Sequence, residues 1–209
     1  LSLLSHFRQM GVVYMTLCHN GDNDICDSAR GHAEHGGLSA FGQEVVREMN
    51  ALGMMIDMSH AAESSFYDAL ALSQAPIVCS HSSSRALCSH PRNLTDDQMK
   101  ALAAQGGVAQ VTLYHGFLRH EGEATVLDAL DHLHHMVQVM GPEHVGIGTD
   151  FDGDGGVRGL KDASELIGFT RQLLRRRYSE SDLQGIWGGN FLRVMRQVQS
   201  SATSHLGLS

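Results

Sequence analysis

Three histidines and an aspartate each stand directly after a short apolar run. His19 follows residues 11–18, His60 follows 53–59, His81 follows 76–80, and Asp150 follows 144–149, with Asp152 close behind. Three imidazoles and a carboxylate are the donor types that hold zinc or a similar divalent ion. One histidine at a strand end is commonly a structural hydrogen-bonder, but four polar strand ends in a short chain point to a metal site. Rival motifs fail on their own rules. Asp150-x-Asp152-x-Asp154-Gly155 opens like a calcium loop, yet its twelfth position is Lys161 where a glutamate is required, and a strand rather than a helix precedes it. No H-E-x-x-H and no G-x-S-x-G occurs in the chain.

The elements that must position these residues alternate. A fifth apolar run covers residues 107–113, and all five runs are too short for helices and bounded as buried parallel strands are. Helical spacing appears between them, over residues 41–52, 62–73 and 124–140, and after the last of them, over 163–176, 179–187 and 191–198. Thr95 with Gln98 predicts a capped helix start, and Ser179 predicts another. Strands separated by helices imply parallel βα units, either an open doubly wound sheet or part of a (β/α)8 barrel. No G-x-G-x-x-G follows the first strand, so a dinucleotide fold has no support. In a barrel the strand C-termini converge on one mouth, where such enzymes do chemistry. The chain reads as one domain over 1–199, with a polar, frayed tail at 200–209.

Composition narrows the partners. A net charge of −8 argues against nucleic acid or an anionic membrane surface. The one basic run, Arg175-Arg176-Arg177, reads as the wet edge of an amphipathic helix. No apolar run is long enough to cross a bilayer, and no signal-peptide pattern is visible. Cys18, Cys26, Cys79 and Cys88 show no C-x-x-C spacing, which favours a reducing, cytoplasmic setting, with Cys18 and Cys79 as core residues. Asn93-Leu94-Thr95 fits the glycosylation triplet, a signal common by chance. Of the remaining histidines, His132, His134 and His135 read as outer-face residues of the helix over 124–140. His32 and His35 lie in a Gly-rich loop with no convergent carboxylate. His6, His90, His115, His120, His144 and His205 have no ligand-like context.

The motifs resemble those of the membrane (renal) dipeptidase family. Gly36-Gly37-Leu38-Ser39-Ala40-Phe41-Gly42 with Val45–Asn50, Ile56-Asp57-Met58-Ser59-His60 and Pro76-Ile77-Val78-Cys79-Ser80-His81-Ser82 follow one another in the family's order. Pro91-Arg92-Asn93-Leu94, Gly146-Ile147-Gly148-Thr149-Asp150-Phe151-Asp152-Gly153 and Gly189-Asn190-Phe191-Leu192-Arg193-Val194 complete the series. The resemblance implies an α/β fold, a (β/α)8 TIM barrel of the metal-dependent hydrolase type, represented by about strands 4 to 8. It implies a zinc metallopeptidase that hydrolyses dipeptides, tolerates a D-residue on the C-terminal side, and often dimerises. His60 and His81 would be zinc ligands. His19 would contact substrate and polarise the scissile carbonyl, Arg92 would grip the substrate carboxylate, and Asp150 would bind substrate and handle the proton. The family holds two zincs per site, the first through an H-x-D on strand one and both through a glutamate on strand three. No H-x-D occurs here. The expectation is therefore a truncated dipeptidase that alone binds zinc weakly and turns over dipeptides slowly or not at all. A non-catalytic binding or vestigial relative, or another metal-dependent amidohydrolase on the same barrel, is the alternative.

Overall fold

The computed structural model describes residues 1–203. Each expected strand is present in shortened form: β1 (Tyr14–Thr16), β2 (Met55–Asp57), β3 (Val78–Cys79), β4 (Val108–Val111) and β5 (Val145–Ile147). The helices are α1 (Ser2–Gln9), α2 (Ala40–Leu52), α3 (Glu63–Leu72), α4 (Asp96–Ala104), α5 (His115–Leu118), α6 (Val126–Met140), α7 (Leu166–Arg175), α8 (Glu180–Gln184) and α9 (Asn190–Thr203). No described helix is long and apolar enough to cross a membrane.

The contacts gather in two compact units. The first comprises residues 1–79, 104–107 and 192–203; the second comprises 80–103 and 108–191. In the first unit, β1 pairs in parallel with β2, and β2 with β3. Val45, Val46 and Met49 on one stripe of α2, Met55 and Ile56 of β2, and Phe66 and Ala69 of α3 are all buried. Ser39 caps α2 by accepting from the Gly42 N–H at 2.9 Å. Gly53 ends that helix at φ 66°, a left-handed turn that glycine takes without a Cβ penalty. A Cβ there would also lie 2.9 Å from that of Ala202. Val194, Val198 and Ala202, four residues apart, are all buried. That stripe continues α9 through Thr203, so residues 200–203 are helical where a frayed tail is expected from sequence. The rest of that tail, 204–209, lies outside the described residues.

In the second unit, β4 and β5 run parallel, with Ala109, Gln110 and Val111 opposite Val145, Gly146 and Ile147. Leu130, Leu133 and Met136 of α6 and Phe169 and Leu173 of α7 supply the core beside them. The capping pairs are as read from sequence: Gln98 N–H donates to Thr95 Oγ1 at 3.1 Å, and Asp182 N–H to Ser179 Oγ at 3.1 Å. Thr125 and Asp128 form a further reciprocal box at the start of α6. The basic run has a structural use, because Arg176 closes α7 back onto α6 with Nη2 2.6 Å from Asp131 Oδ1.

Candidate functional site

His60 and Asp150 each stand three residues beyond a strand end, where the backbone turns into the left-handed region. In the first unit, β2 stops at Asp57, and His60 follows at φ 76°. A left-handed conformation is uncommon for a non-glycine residue and marks a held position. The hold is visible. Ser28 Oγ donates to the His60 carbonyl at 3.2 Å and to the His19 carbonyl at 2.6 Å, while Ala29 N–H donates to His60 O at 2.7 Å. The His19 and His60 rings stack, with centroids 4.2 Å apart and planes 28° from parallel. Behind them Asp57, fully buried, accepts from Thr16 Oγ1 at 2.6 Å and from Ser59 N–H at 3.0 Å.

The Gly-rich loop between His19 and α2 is organised by its own carboxylates. Asp27, buried, accepts from the N–H groups of His35 (2.9 Å) and Gly37 (2.8 Å). Asp22 accepts from those of Ser28 (2.7 Å) and His32 (2.6 Å), and these backbone donors hold its carboxyl below the usual carboxylate range. The carboxylates that sequence reading did not place beside His32 and His35 are therefore present, but they bind backbone N–H groups.

The second unit opens with Ser80 and His81, whose Oγ and Nδ1 are 2.8 Å apart. The strap after His81 is laced down: Ser82 N–H donates to Gln110 O at 2.8 Å, and Ser84 N–H donates to His132 Nδ1 at 3.0 Å. His132 is wholly buried, and its Nε2 reaches Leu118 O at 3.1 Å, which corrects the outer-face placement read from sequence. Burial pushes its imidazole down, against the pull of the Leu118 carbonyl. His135 and His134 remain peripheral, paired with Asp96 at 2.8 Å and Tyr178 at 3.0 Å.

Arg92 is 3% exposed, and its guanidinium carbon lies 5.2 Å from the centre of the Phe117 ring. Its neighbour Asn93 is buried and donates to Cys88 O and Phe117 O, both at 2.8 Å, which closes the glycosylation triplet to modification in the folded chain. Asp150 follows β5 at φ 58°, and its carbonyl accepts from Gly153 (2.9 Å) and Gly155 (2.7 Å). A cavity of about 300 Å³ opens between the loops after β4 and β5, walled by His115, Glu123, Arg158 and Lys161.

As metal donors, the residue types fit but the number does not. Neutral imidazoles at strand ends suit zinc. Yet no group of three or more His, Cys, Asp or Glu residues is placed to hold an ion among the described residues.

Comparison with known proteins agrees with the motif series. The sequence model of the membrane dipeptidase family (peptidase family M19) matches residues 1–206. An uncharacterized dipeptidase of Schizosaccharomyces pombe is 41% identical over 95% of this chain and 50% of its own length. Dipeptidase 3 of Mus musculus is 40% identical over 100% of this chain and 44% of its own length. Among solved structures, the probable dipeptidase PvdM from Pseudomonas aeruginosa superposes with a TM-score of 0.94 at 31% identity, covering 96% of this chain and 66% of that one. A metallopeptidase from Rhodobacter sphaeroides, solved with a phosphinate mimic of the dipeptide L-Ala-D-Ala, gives 0.88 at 27%, over 95% and 59%. The chain thus spans about half the length of the curated relatives it matches, and its α/β fold is that of the corresponding part of these barrel hydrolases. On the match across residues 1–206 and identities near 40%, this chain belongs to the membrane dipeptidase family, peptidase family M19.

Proposed function

We propose that this chain carries the substrate-gripping part, and half of the metal-holding part, of a zinc-dependent enzyme that hydrolyses dipeptides. The observation that carries the reading is the placement of His60 and Asp150 directly beyond β2 and β5, both in left-handed backbone conformations. Strand-end positions of this kind are where βα-barrel hydrolases keep their chemistry.

In this reading His60 and His81 are zinc ligands. The Ser80 hydroxyl engages His81 Nδ1, so the metal would meet that ring through Nε2. A bound zinc supplies a Lewis acid and a hydroxide near neutral pH. The chain's own residues do the rest. Arg92, preset by its contact with Phe117, takes the C-terminal carboxylate of the dipeptide through its planar fork. His19, its ring braced against His60, donates a hydrogen bond to the scissile carbonyl oxygen. Asp150 accepts a proton from the attacking water and returns it to the leaving amine. Remaining ligands would come from the portion of the relatives' length that this chain does not match. The four buried thiols, none in a disulfide, fit a reducing compartment such as the cytoplasm.

The test is zinc binding at equilibrium, read without desalting from the imidazole resonances of the folded chain during titration with zinc, beside a His60→Ala/His81→Ala control. A weak response at His60 and His81 that is absent from the control is the expected result. A folded chain whose two imidazoles do not respond, or a control that binds zinc as well, overturns the ligand assignment. A Pseudomonas aeruginosa amidohydrolase at 29% identity and a TM-score of 0.85 keeps other amide substrates in view. Arg92 favours a substrate with a free carboxylate, and comparing a dipeptide with its C-terminal amide separates the two.

A further inference from the structure

Two histidines outside the proposed chemistry hold the backbone that carries Arg92. The segment from Ser84 to Leu94 is closed at its ends, where Arg85 N–H donates to Leu94 O at 2.8 Å and Leu94 N–H to Ser83 O at 2.9 Å. Inside that loop two backbone donors meet imidazoles. Ser89 N–H donates to His120 Nε2 at 2.9 Å, and Arg92 N–H donates to His90 Nδ1 at 3.1 Å. A ring nitrogen that accepts from an N–H carries no proton, so both rings bond in this way only while neutral. The His90 ring also lies 4.5 Å from that of Phe117, the ring against which the Arg92 guanidinium is set at 5.2 Å. His90 thus fixes Arg92 twice, through its N–H and through the aromatic ring they share. His90 is half-buried and His120 exposed, so protons reach both, unlike the enclosed His132 that holds the same strap at Ser84.

We propose that neutral His90, with His120 as a second brace, is a positioning residue for Arg92, so that the grip of Arg92 on a carboxylate weakens as pH falls through the imidazole range. The inference rests on the carboxylate role given to Arg92 above. A proton gained on His90 Nδ1 faces the Arg92 N–H, and a hydrogen bond becomes two opposed donors. Imidazoles ordinarily make that change near about pH 6.5. The other charged and titratable groups on the packed segments are Arg85 and Arg92 on the strap, His115 beside Tyr114, Arg119 and Glu121 flanking His120, and Asp128 of α6, which pairs with Arg119 at 3.0 Å. Arginines and carboxylates as a class hold their charge between about pH 5.5 and about pH 7.5. Burial pushes the Cys88 thiol up, so it stays uncharged there. A proton on any of the three histidines adds positive charge and by itself would draw an anion in. Weaker binding in acid therefore reports lost position rather than charge.

The probe is N-acetylalanine, whose carboxylate stays ionised from about pH 7.5 to about pH 5.5 and needs no metal to meet an arginine. Its binding to the full, zinc-free chain is followed by nuclear magnetic resonance, together with the backbone amide and guanidinium resonances of Arg92. In the parent chain both Arg92 resonances should move as the His90 ring titrates, and affinity should fall about fivefold or more across that range. His90→Asn offers an oxygen near the place of Nδ1 that cannot titrate, and its affinity should not change with pH. His90→Ala should bind weakly at both ends. Arg92 resonances that ignore the His90 titration, affinity that rises in acid, or a His90→Asn chain that keeps the parent's pH dependence overturns the proposal. A probe that the parent does not bind, or that Arg92→Ala binds as tightly, overturns the carboxylate role of Arg92 and the proposal with it. The Arg92 resonances tell the two failures apart, since they follow His90 only where the brace is real.

Discussion

Replacing His132 tests whether the strap behind His81 is held by an imidazole that must stay neutral. In the folded chain Nδ1 accepts from Ser84 N–H, so Nε2 carries the proton and donates to Leu118 O. His132→Ala removes both bonds from a site with no solvent access, stranding a backbone donor and a backbone acceptor. Each stranded group costs about 1–3 kcal/mol, and with the space left by the ring the total is about 3–5 kcal/mol. Against an ordinary stability of about 5–15 kcal/mol that is a large loss. The pH dependence is a separate signature. The unfolded imidazole titrates near 6.5 and the folded one lower, so the unfolded chain binds the proton more readily. The contribution of His132 is complete above that value and is lost as pH falls, by about 1.4 kcal/mol for each unit until the folded imidazole itself titrates. Urea unfolding of both proteins from about pH 7.5 to about pH 5 should show the gap between them narrowing by up to about 2 kcal/mol. Taking the difference cancels every group the two proteins share. A gap that stays constant with pH, or a total cost under about 1 kcal/mol, would refute the neutral-imidazole account.

The other expectations are more compact. Asn190 Nδ2 donates to Pro142 O and Val145 O, both at 2.8 Å. Asn190→Ala should therefore cost about 2–4 kcal/mol in urea unfolding, and Asn190→Asp no less, since a carboxylate cannot donate. A Cβ on Gly148 would lie 1.8 Å from the Ser80 carbonyl oxygen, a backbone atom that cannot swing aside. Gly148→Ala should cost more than about 2 kcal/mol by the same assay and disturb the backbone leading into His81, seen as shifted amide resonances at residues 80–82. Arg92→Lys keeps the charge but loses the planar fork. Calorimetric titration of the zinc-equilibrated chain with a dipeptide should show affinity weakened about tenfold or more, and equal affinity would remove Arg92 from the carboxylate site.

How far the sequence carries depends on whether the information is local. All five strands are legible because each is an apolar run with its own punctuation, and the Thr95 and Ser179 caps because a cap is a pattern of four residues. The helices at 2–9 and 115–118 are not read from sequence; the second is four residues long, too short for a period to show. His132 shows the other limit. It stands beside core Leu133 on α6, and nothing in the spacing tells a buried histidine with two backbone partners from a surface one.

The candidate site divides along the same line. That His19, His60, His81 and Asp150 end strands is local and readable, and the left-handed turns at His60 and Asp150 are the backbone's way of placing the side chain at that end. How many donors meet at one ion is a property of the whole ladder of strands. No local pattern carries that number, because each strand end delivers its donor independently, and the separation of His60 from His81 along the chain says nothing of which other donors meet them at one ion.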